Sequence, residues 1–314
     1  MPGVSERVRI TDVSPRDGLQ NEPHAIPTDD KARLVELLTL TGVDEVEVTS
    51  FVSPKWVPQL GDAAQVFDAV ADLKPPELVF SALVPNDRGA QAALRVNEHA
   101  GRRVIDKVSV FTAASETFTR KNVNATIAES VERFRPVVAL AHGSGLRVRG
   151  YVSCIVRCPF EGDVNPARVA EVAAMLLDAG VDEIDLGDTI GAATPESLVP
   201  VLDAVRPIVG GFALRDDGEA PLTLHLHDTA GLAGACVAAS LAEGVRSFDA
   251  SAGGLGGCPF ASTDDGRAPG NIATALLVQA VERAGFETGV DRERLAAASA
   301  FAERLVAQAG RGGL

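Results

Sequence analysis

The chain is 314 residues long, with 29 basic against 43 acidic side chains, a formal net charge of −14, 46% hydrophobic residues and 4% aromatics. Apolar content of this order supports a large buried core and excludes a disordered polymer, and the lack of any apolar run of about 18 residues argues against a membrane span. The acidity argues against a nucleic-acid partner, which needs a basic face to displace counterions, but leaves room for a small anionic ligand held by a few local cations.

Short β-rich segments alternate with amphipathic helical ones along the chain. Strands are predicted over 8–13, 45–49, 78–83, 107–111, 147–152, 183–186, 223–226 and 247–250, and helices follow them, among them 29–41, 166–179, 195–205 and 230–243. Thr28-Asp29-Asp30 and Thr194-Pro195-Glu196 place acceptors or acids at first turns. Gly42, Gly180 and Gly244 each follow a helix, where a left-handed cap favours glycine. Eight strand–helix alternations predict an all-parallel sheet closed into a (β/α)8 barrel, an α/β fold. An open doubly wound sheet is the rival, and no Gly-x-Gly-x-x-Gly follows the first strand to favour it. The expected division is a catalytic barrel over 1–290 and a helical extension over 291–314, whose alanine-rich stretch 292–308 packs on the barrel or on a second subunit. The acidic stretch 210–221 reads as a solvated loop on the face away from catalysis.

Barrel sites are built at the carboxyl ends of the strands. Six polar stretches fall there: Ser14-Pro15-Arg16-Asp17, Glu47 with Thr49, Arg149 with Tyr151 and Ser153, Gly187-Asp188-Thr189, His225-Leu226-His227-Asp228, and the glycine-rich run ending in Cys258. Side chains two apart on a strand share a face, so His225 and His227 point inward together while Leu224 and Leu226 face the helices. The bland reading of such a pair is two hydrogen-bonded barrel histidines. Asp17 and Asn271 add an anionic and a neutral oxygen, and the mixed N/O set then suits Mg2+ or Mn2+, with Zn2+ or Co2+ also able to bind. Glu47 is a candidate to hold Arg16 or a metal ligand. Cys258 sits on a loop whose glycines allow sharp bends; Cys154 and Cys158, without partners to complete a metal site, read as packing residues. Residues 1–13 carry no signal-type apolar stretch, so the four cysteines are expected to be reduced thiols in a cytoplasmic protein.

Several motifs together carry a family resemblance: Ser14-Pro-Arg-Asp-Gly-Leu-Gln-Asn21, Thr49-Ser-Phe-Val-Ser-Pro-Lys-Trp-Val-Pro-Gln59, Arg149-Gly-Tyr-Val-Ser-Cys154, Cys158-Pro-Phe-Glu-Gly162, Leu186-Gly-Asp-Thr-Ile-Gly191, His225-Leu-His-Asp-Thr229 and Gly254-Leu-Gly-Gly-Cys-Pro259. In this order the chain resembles the 3-hydroxy-3-methylglutaryl-CoA lyases of the metal-dependent lyase and acyltransferase TIM-barrel superfamily. The resemblance implies a divalent metal on Asp17, His225, His227 and Asn271, a substrate-facing Arg16, a loop thiol in Cys258 and active-site acids in Glu47 and Asp188. His225, or the Asp188 region through water, would act as base. The resemblance also implies retro-Claisen cleavage to acetyl-CoA and acetoacetate, as in leucine degradation and ketone-body formation, by a homo-oligomer (dimer or larger). Lys55, Arg120 and Lys121 are candidate contacts for the phosphates of an acyl-CoA. Leu19, where the related synthases carry Glu, favours cleavage over condensation. Three departures fall at Ala275-Leu276, at Asp185 and in a lengthened segment between Cys258 and Asn271; all are expected near the substrate. They motivate the alternative of a lyase for a longer or differently branched 3-hydroxyacyl-CoA diacid. A catalytically quiet barrel that binds metal or acyl-CoA is the remaining rival.

Overall fold

In the computed structural model, which describes residues 6–257 and 270–309, eight parallel strands close into a barrel. They are β1 (Arg9–Asp12), β2 (Glu45–Ser50), β3 (Val79–Leu83), β4 (Lys107–Ala113), β5 (Arg147–Ser153), β6 (Glu183–Asp188), β7 (Leu222–Leu226) and β8 (Ser247–Ala250). Each pairs with its neighbours in sequence, and β1 closes the ring on β8. The helices form the outer layer: α1 (Thr28–Thr39), α2 (Ala63–Val70), α3 (Asp87–Ala100), α4 (Glu116–Val123), α5 (Ile127–Gly143), α6 (Pro166–Asp178), α7 (Pro195–Val209), α8 (Ala233–Ala242) and α9 (Thr274–Arg283). A final helix, α10 (Arg292–Ala309), buries Leu295, Ala298, Ala302 and Leu305 and packs on α1 of its own barrel. No helix among the described residues is long and apolar enough to cross a membrane.

The predicted alternation holds because strand residues with even spacing face the helices. Leu222, Leu224 and Leu226 on β7 and Phe248 and Ala250 on β8 join the apolar layer between sheet and helices. The opposite faces fill the barrel interior, and there the chain places charge: Glu45, Lys107, Arg149, Glu183, Asp185 and Asp249 are all buried. Lys107 Nζ donates to Glu45 Oε2 at 2.7 Å and Glu183 Oε2 at 2.8 Å. Arg149 lies 3.0 Å from Glu183 Oε1 and 3.2 Å from both Glu45 Oε2 and Asp249 Oδ1. Buried ions persist only when paired and hydrogen-bonded; Glu45, Lys107 and Glu183 lie toward the amino-terminal mouth, and Asp185 and Asp249 reach up to His225.

One local reading needs correction. The acidic loop before β7 is not merely solvated: Glu219 reaches Lys107 at 3.4 Å, and Ala220 is buried. Asp29 and Asp30 fall in the first turn of α1 as expected, with Pro27 at the N-cap position and the Thr28 hydroxyl donating to Asp62 Oδ2 at 2.7 Å. Thr194 does cap α7, in a reciprocal box with Ser197. Gly42, Gly180 and Gly244 take positive φ as expected.

Candidate active site and metal centre

At the carboxyl end of β1 the backbone makes one π-helical turn, Ser14–Gly18, in which the Val13 carbonyl accepts from the N–H groups of Arg16, Asp17 and Gly18. Asp12 staples the turn. Its Oδ1 accepts from the Ser14 N–H and hydroxyl at 2.9 and 2.6 Å, and its Oδ2 from the Thr274 hydroxyl at 2.7 Å. Such wide turns recur at functional sites; this one brings the consecutive side chains of Arg16 and Asp17 into one buried mouth.

His225 sits on β7 between Gly187 of β6 and Asp249 of β8, both in register with it. Its Nδ1 meets Asp249 Oδ2 at 3.1 Å, and its Nε2 faces His227 Nε2 at 3.2 Å. Asn271 arrives on a short segment that pairs along the end of β7, where Ile272 N–H donates to the Leu226 carbonyl. Its Nδ2 donates to Asp17 Oδ2 at 2.8 Å and to the Leu255 carbonyl at 2.9 Å, leaving Oδ1 buried without a partner. Gly256, at φ +101°, passes so close that a Cβ would come 2.5 Å from Asn271 Nδ2 and 3.2 Å from Asp17 Oδ2; only glycine lets the backbone seal this corner.

Ligand atoms of Asp17, His225 and His227 all lie within 4.8 Å of one another. Their protonation suits a cation. Burial pushes the Asp17 carboxyl up, but Arg16 and the two imidazoles outweigh it and hold it at about 2. Burial and the neighbouring His225 bring His227 down to about 4, so it stays neutral at pH 7. For His225 burial works downward, and the Asp249 carboxylate outweighs it and raises the imidazole. A carboxylate on Nδ1 favours the tautomer with its lone pair on Nε2, the usual arrangement behind a metal-ligating histidine. The two Nε2 atoms share a hydrogen bond, the pairing a bland reading expects, and become two donors once the proton between them leaves; with an ionised carboxylate and an unpaired amide oxygen they make a set that fits a divalent ion.

Beside these four candidate donors, Arg16 Nε donates to Glu47 Oε2 at 2.5 Å and its Nη1 to Asp17 Oδ1 at 2.6 Å; neither pair uses Nη2. Glu47 thus holds Arg16, as its position on β2 suggested. Asp188 is differently committed: its two oxygens accept from the N–H groups of Ala192 and Ala193 at 3.0 and 2.8 Å, which fixes the loop into α7. Lys55, Arg120 and Lys121 are exposed, and Lys121 lies 4.8 Å over the Phe160 ring; no contact joins them to the centre. Cys258 lies outside the described residues.

The three departures do not share one location. Asp185 is buried within ligand distance of His225 and Asp249. Ala275 is exposed and Leu276 packs toward α8, because Thr274 takes the site-facing position on α9 and each helical residue turns about 100° further. Ala275 and Leu276 therefore turn away from the Asp17, His225 and His227 cluster. The lengthened segment lies mostly outside the described residues. Reading the sequence missed Asp249. An acid alternating with Phe248 and Ala250 on a buried strand was the available signal, since an inward carboxylate needs a partner.

A family profile described as HMGL-like matches residues 7–302. The chain is 45% identical over 290 residues to the mitochondrial hydroxymethylglutaryl-CoA lyase of Gallus gallus, covering 92% of this chain and 90% of that protein. It is 42% identical over 292 residues to the 3-hydroxy-3-isohexenylglutaryl-CoA/hydroxy-methylglutaryl-CoA lyase of Pseudomonas aeruginosa, covering 93% and 90%. Among solved structures, the HMG-CoA lyase of Brucella melitensis superposes with a TM-score of 0.85 at 43% identity, covering 96% of this chain and all of that one.

Proposed function

From the chain's place in the HMGL-like family, to which it belongs, and from the geometry of its site, we propose that it is a divalent-metal-dependent carbon–carbon lyase that cleaves 3-hydroxy-3-methylglutaryl-CoA to acetyl-CoA and acetoacetate, a cut suited to leucine breakdown and ketone-body supply. The observation that carries the reading is the convergence of Asp17, His225 and His227 at the carboxyl end of the barrel, with Asn271 Oδ1 left unpaired beside them. Mg2+ or Mn2+ suits this mixed N/O set, with the two imidazoles leaning toward Mn2+. When bound, such an ion supplies Lewis acidity that lowers the pKa of the substrate's tertiary hydroxyl and orients it.

The protein residues do the rest. The committed oxygens of Asp188 favour His225 as acceptor of the hydroxyl proton. Nδ1 is pinned on Asp249, so Nε2 has the one lone pair available: in this reading it takes the proton, and the donors that would hold the ion are His227, Asp17 and Asn271. Arg16, oriented by Glu47 and Asp17, offers its free Nη2 to the enolate that forms as the C–C bond breaks, a service worth about 3–4 kcal/mol at the transition state. Cys258 delivers or shuttles the proton that quenches the enolate, and Lys55, Arg120 and Lys121 meet the CoA phosphates. The compartment in this reading is the cytoplasm. The active species is a homo-oligomer, which light scattering checks.

Mass spectrometry of the products formed by chelator-stripped protein, before and after Mn2+ or Mg2+ is restored, tests the function. Acetoacetate that appears only with metal supports it; full cleavage in excess chelator removes the metal role. A second substrate is favoured by the dual name of the Pseudomonas aeruginosa relative and by Asp185 beneath the site. Faster cleavage of a longer branched 3-hydroxyglutaryl-CoA than of the methyl compound would assign that substrate instead.

A further inference from the structure

We infer that Tyr151 is a positioning residue for the bond-breaking step, its hydroxyl tying the Arg16 half of the site to the His225 half. The inference rests on the lyase reading above and goes beyond it. The phenol oxygen lies 3.3 Å from Glu47 Oε2 and 3.3 Å from Asp249 Oδ2. These are the same two oxygens that accept from Arg16 Nε at 2.5 Å and face His225 Nδ1 at 3.1 Å. Arg16, Glu47, Tyr151, Asp249 and His225 therefore form one unbroken chain of polar contacts, with a single shared oxygen at each carboxylate.

The ring reinforces the link. Arg16 Cζ lies 5.6 Å from its centroid, and His225 meets it edge-on at 6.2 Å. The side chain is buried, which strengthens both contacts relative to the same contacts in water. A phenol has one proton to give; it can go to either carboxylate, and the rigid ring holds their spacing in both cases. The groups that must act together, a guanidinium on one side and an imidazole on the other, are thus held at one separation by a residue that touches neither through its hydroxyl. Buried chains of this kind respond as a unit, which double-mutant cycles detect. Arg16 also reaches the metal ligands directly through Asp17, so a test has to separate that route from the Tyr151 route.

Calorimetric titration of Mn2+ into the chelator-stripped parent, Tyr151→Phe, Glu47→Gln and the double variant makes the separation. The Asp17 route is present in all four. With the tie in place, Glu47→Gln changes Mn2+ affinity by factors that differ about threefold or more between the Tyr and Phe backgrounds; equal factors overturn it. This measurement needs no turnover, so it decides the tie even where no hydroxyacyl-CoA is cleaved by the parent, an outcome that would sink the lyase reading alone. In Mn2+-loaded protein, Tyr151→Phe is expected to lower kcat about tenfold with KM little changed. An unchanged kcat in a variant that melts with the parent overturns the role in bond breaking, since the phenyl ring preserves the packing and only the hydroxyl is gone.

Discussion

The barrel interior holds two charged layers that differ in what neutralises them. At the amino-terminal mouth, Lys107 and Arg149 supply the cations for Glu45, Glu183 and Glu219, and every one of these acids meets an ammonium or guanidinium within 3.4 Å. At the carboxyl end, Asp17 has Arg16, but the two imidazole Nε2 atoms meet only each other and Asn271 Oδ1 has no hydrogen-bond partner among the described residues. Both layers are buried and both are polar. What separates the two layers is how the acids are met: each acid of the first faces a cation of the chain itself, whereas the second gathers a carboxylate, two imidazoles and an amide oxygen whose chemistry suits a cation from outside.

Breaking the lower layer gives the largest expected effect. Lys107→Met leaves Glu45 and Glu183 facing each other without their ammonium, and removal of one partner of a buried pair costs up to about 5 kcal/mol; urea unfolding reads the loss. The folded fraction should still bind Mn2+, because none of the metal donors touches Lys107. His227→Ala does the reverse. Cleavage is expected to fall on the order of 10³-fold, about 4 kcal/mol at the transition state, and metal content to drop, while the stripped variant melts close to the stripped parent because no pre-existing ion pair is lost. A large stability loss there would show that the upper layer is structural after all. Arg16→Met is expected to lower kcat about 10²-fold or more, as loss of one preorganised enolate donor does, and steady-state kinetics with saturating metal measures it.

The pH dependence sharpens the contrast with the smallest effect. Burial disfavours the charged Glu183, but Arg149 and Lys107 outweigh it and hold the carboxyl well below its ordinary range. A depressed folded value stabilises the protein at pH above the unfolded pKa and loses that contribution as pH falls. The urea midpoint of the stripped protein should therefore decline from about pH 5 downward, and Glu183→Gln, less stable at neutral pH, should show the shallower decline. An equal slope in both would move the acid sensitivity elsewhere.

Much of this was legible along the chain. The period-2 pattern of Leu222, Leu224 and Leu226 against Thr223 and His225 set the inward face of β7, and the same rule put His225 and His227 together. Glycines after helices and the Thr194 cap marked element ends. Asp17 was readable from its place just past the first strand, and Glu47 from an acid where a strand turns inward. Leu276 misled: nearness in sequence to Asn271 gave no account of the helical rotation that turns it toward α8.

What the sequence determined by itself is the alternation, the barrel and the shared inward face of His225 and His227, since near neighbours and strand periodicity encode them. What only the tertiary structure decided is who partners whom. Closure of β1 on β8 sets Thr11 beside Asp249, residues far apart in the chain, and the register of β7 on β8 delivers Asp249 to His225. Those pairings give Tyr151 two carboxylates to join and leave the imidazole lone pairs facing inward. They follow from the geometry of a closed, staggered sheet, in which a side chain's electrostatic partner is chosen by strand order and stagger and not by any residue within reach along the chain.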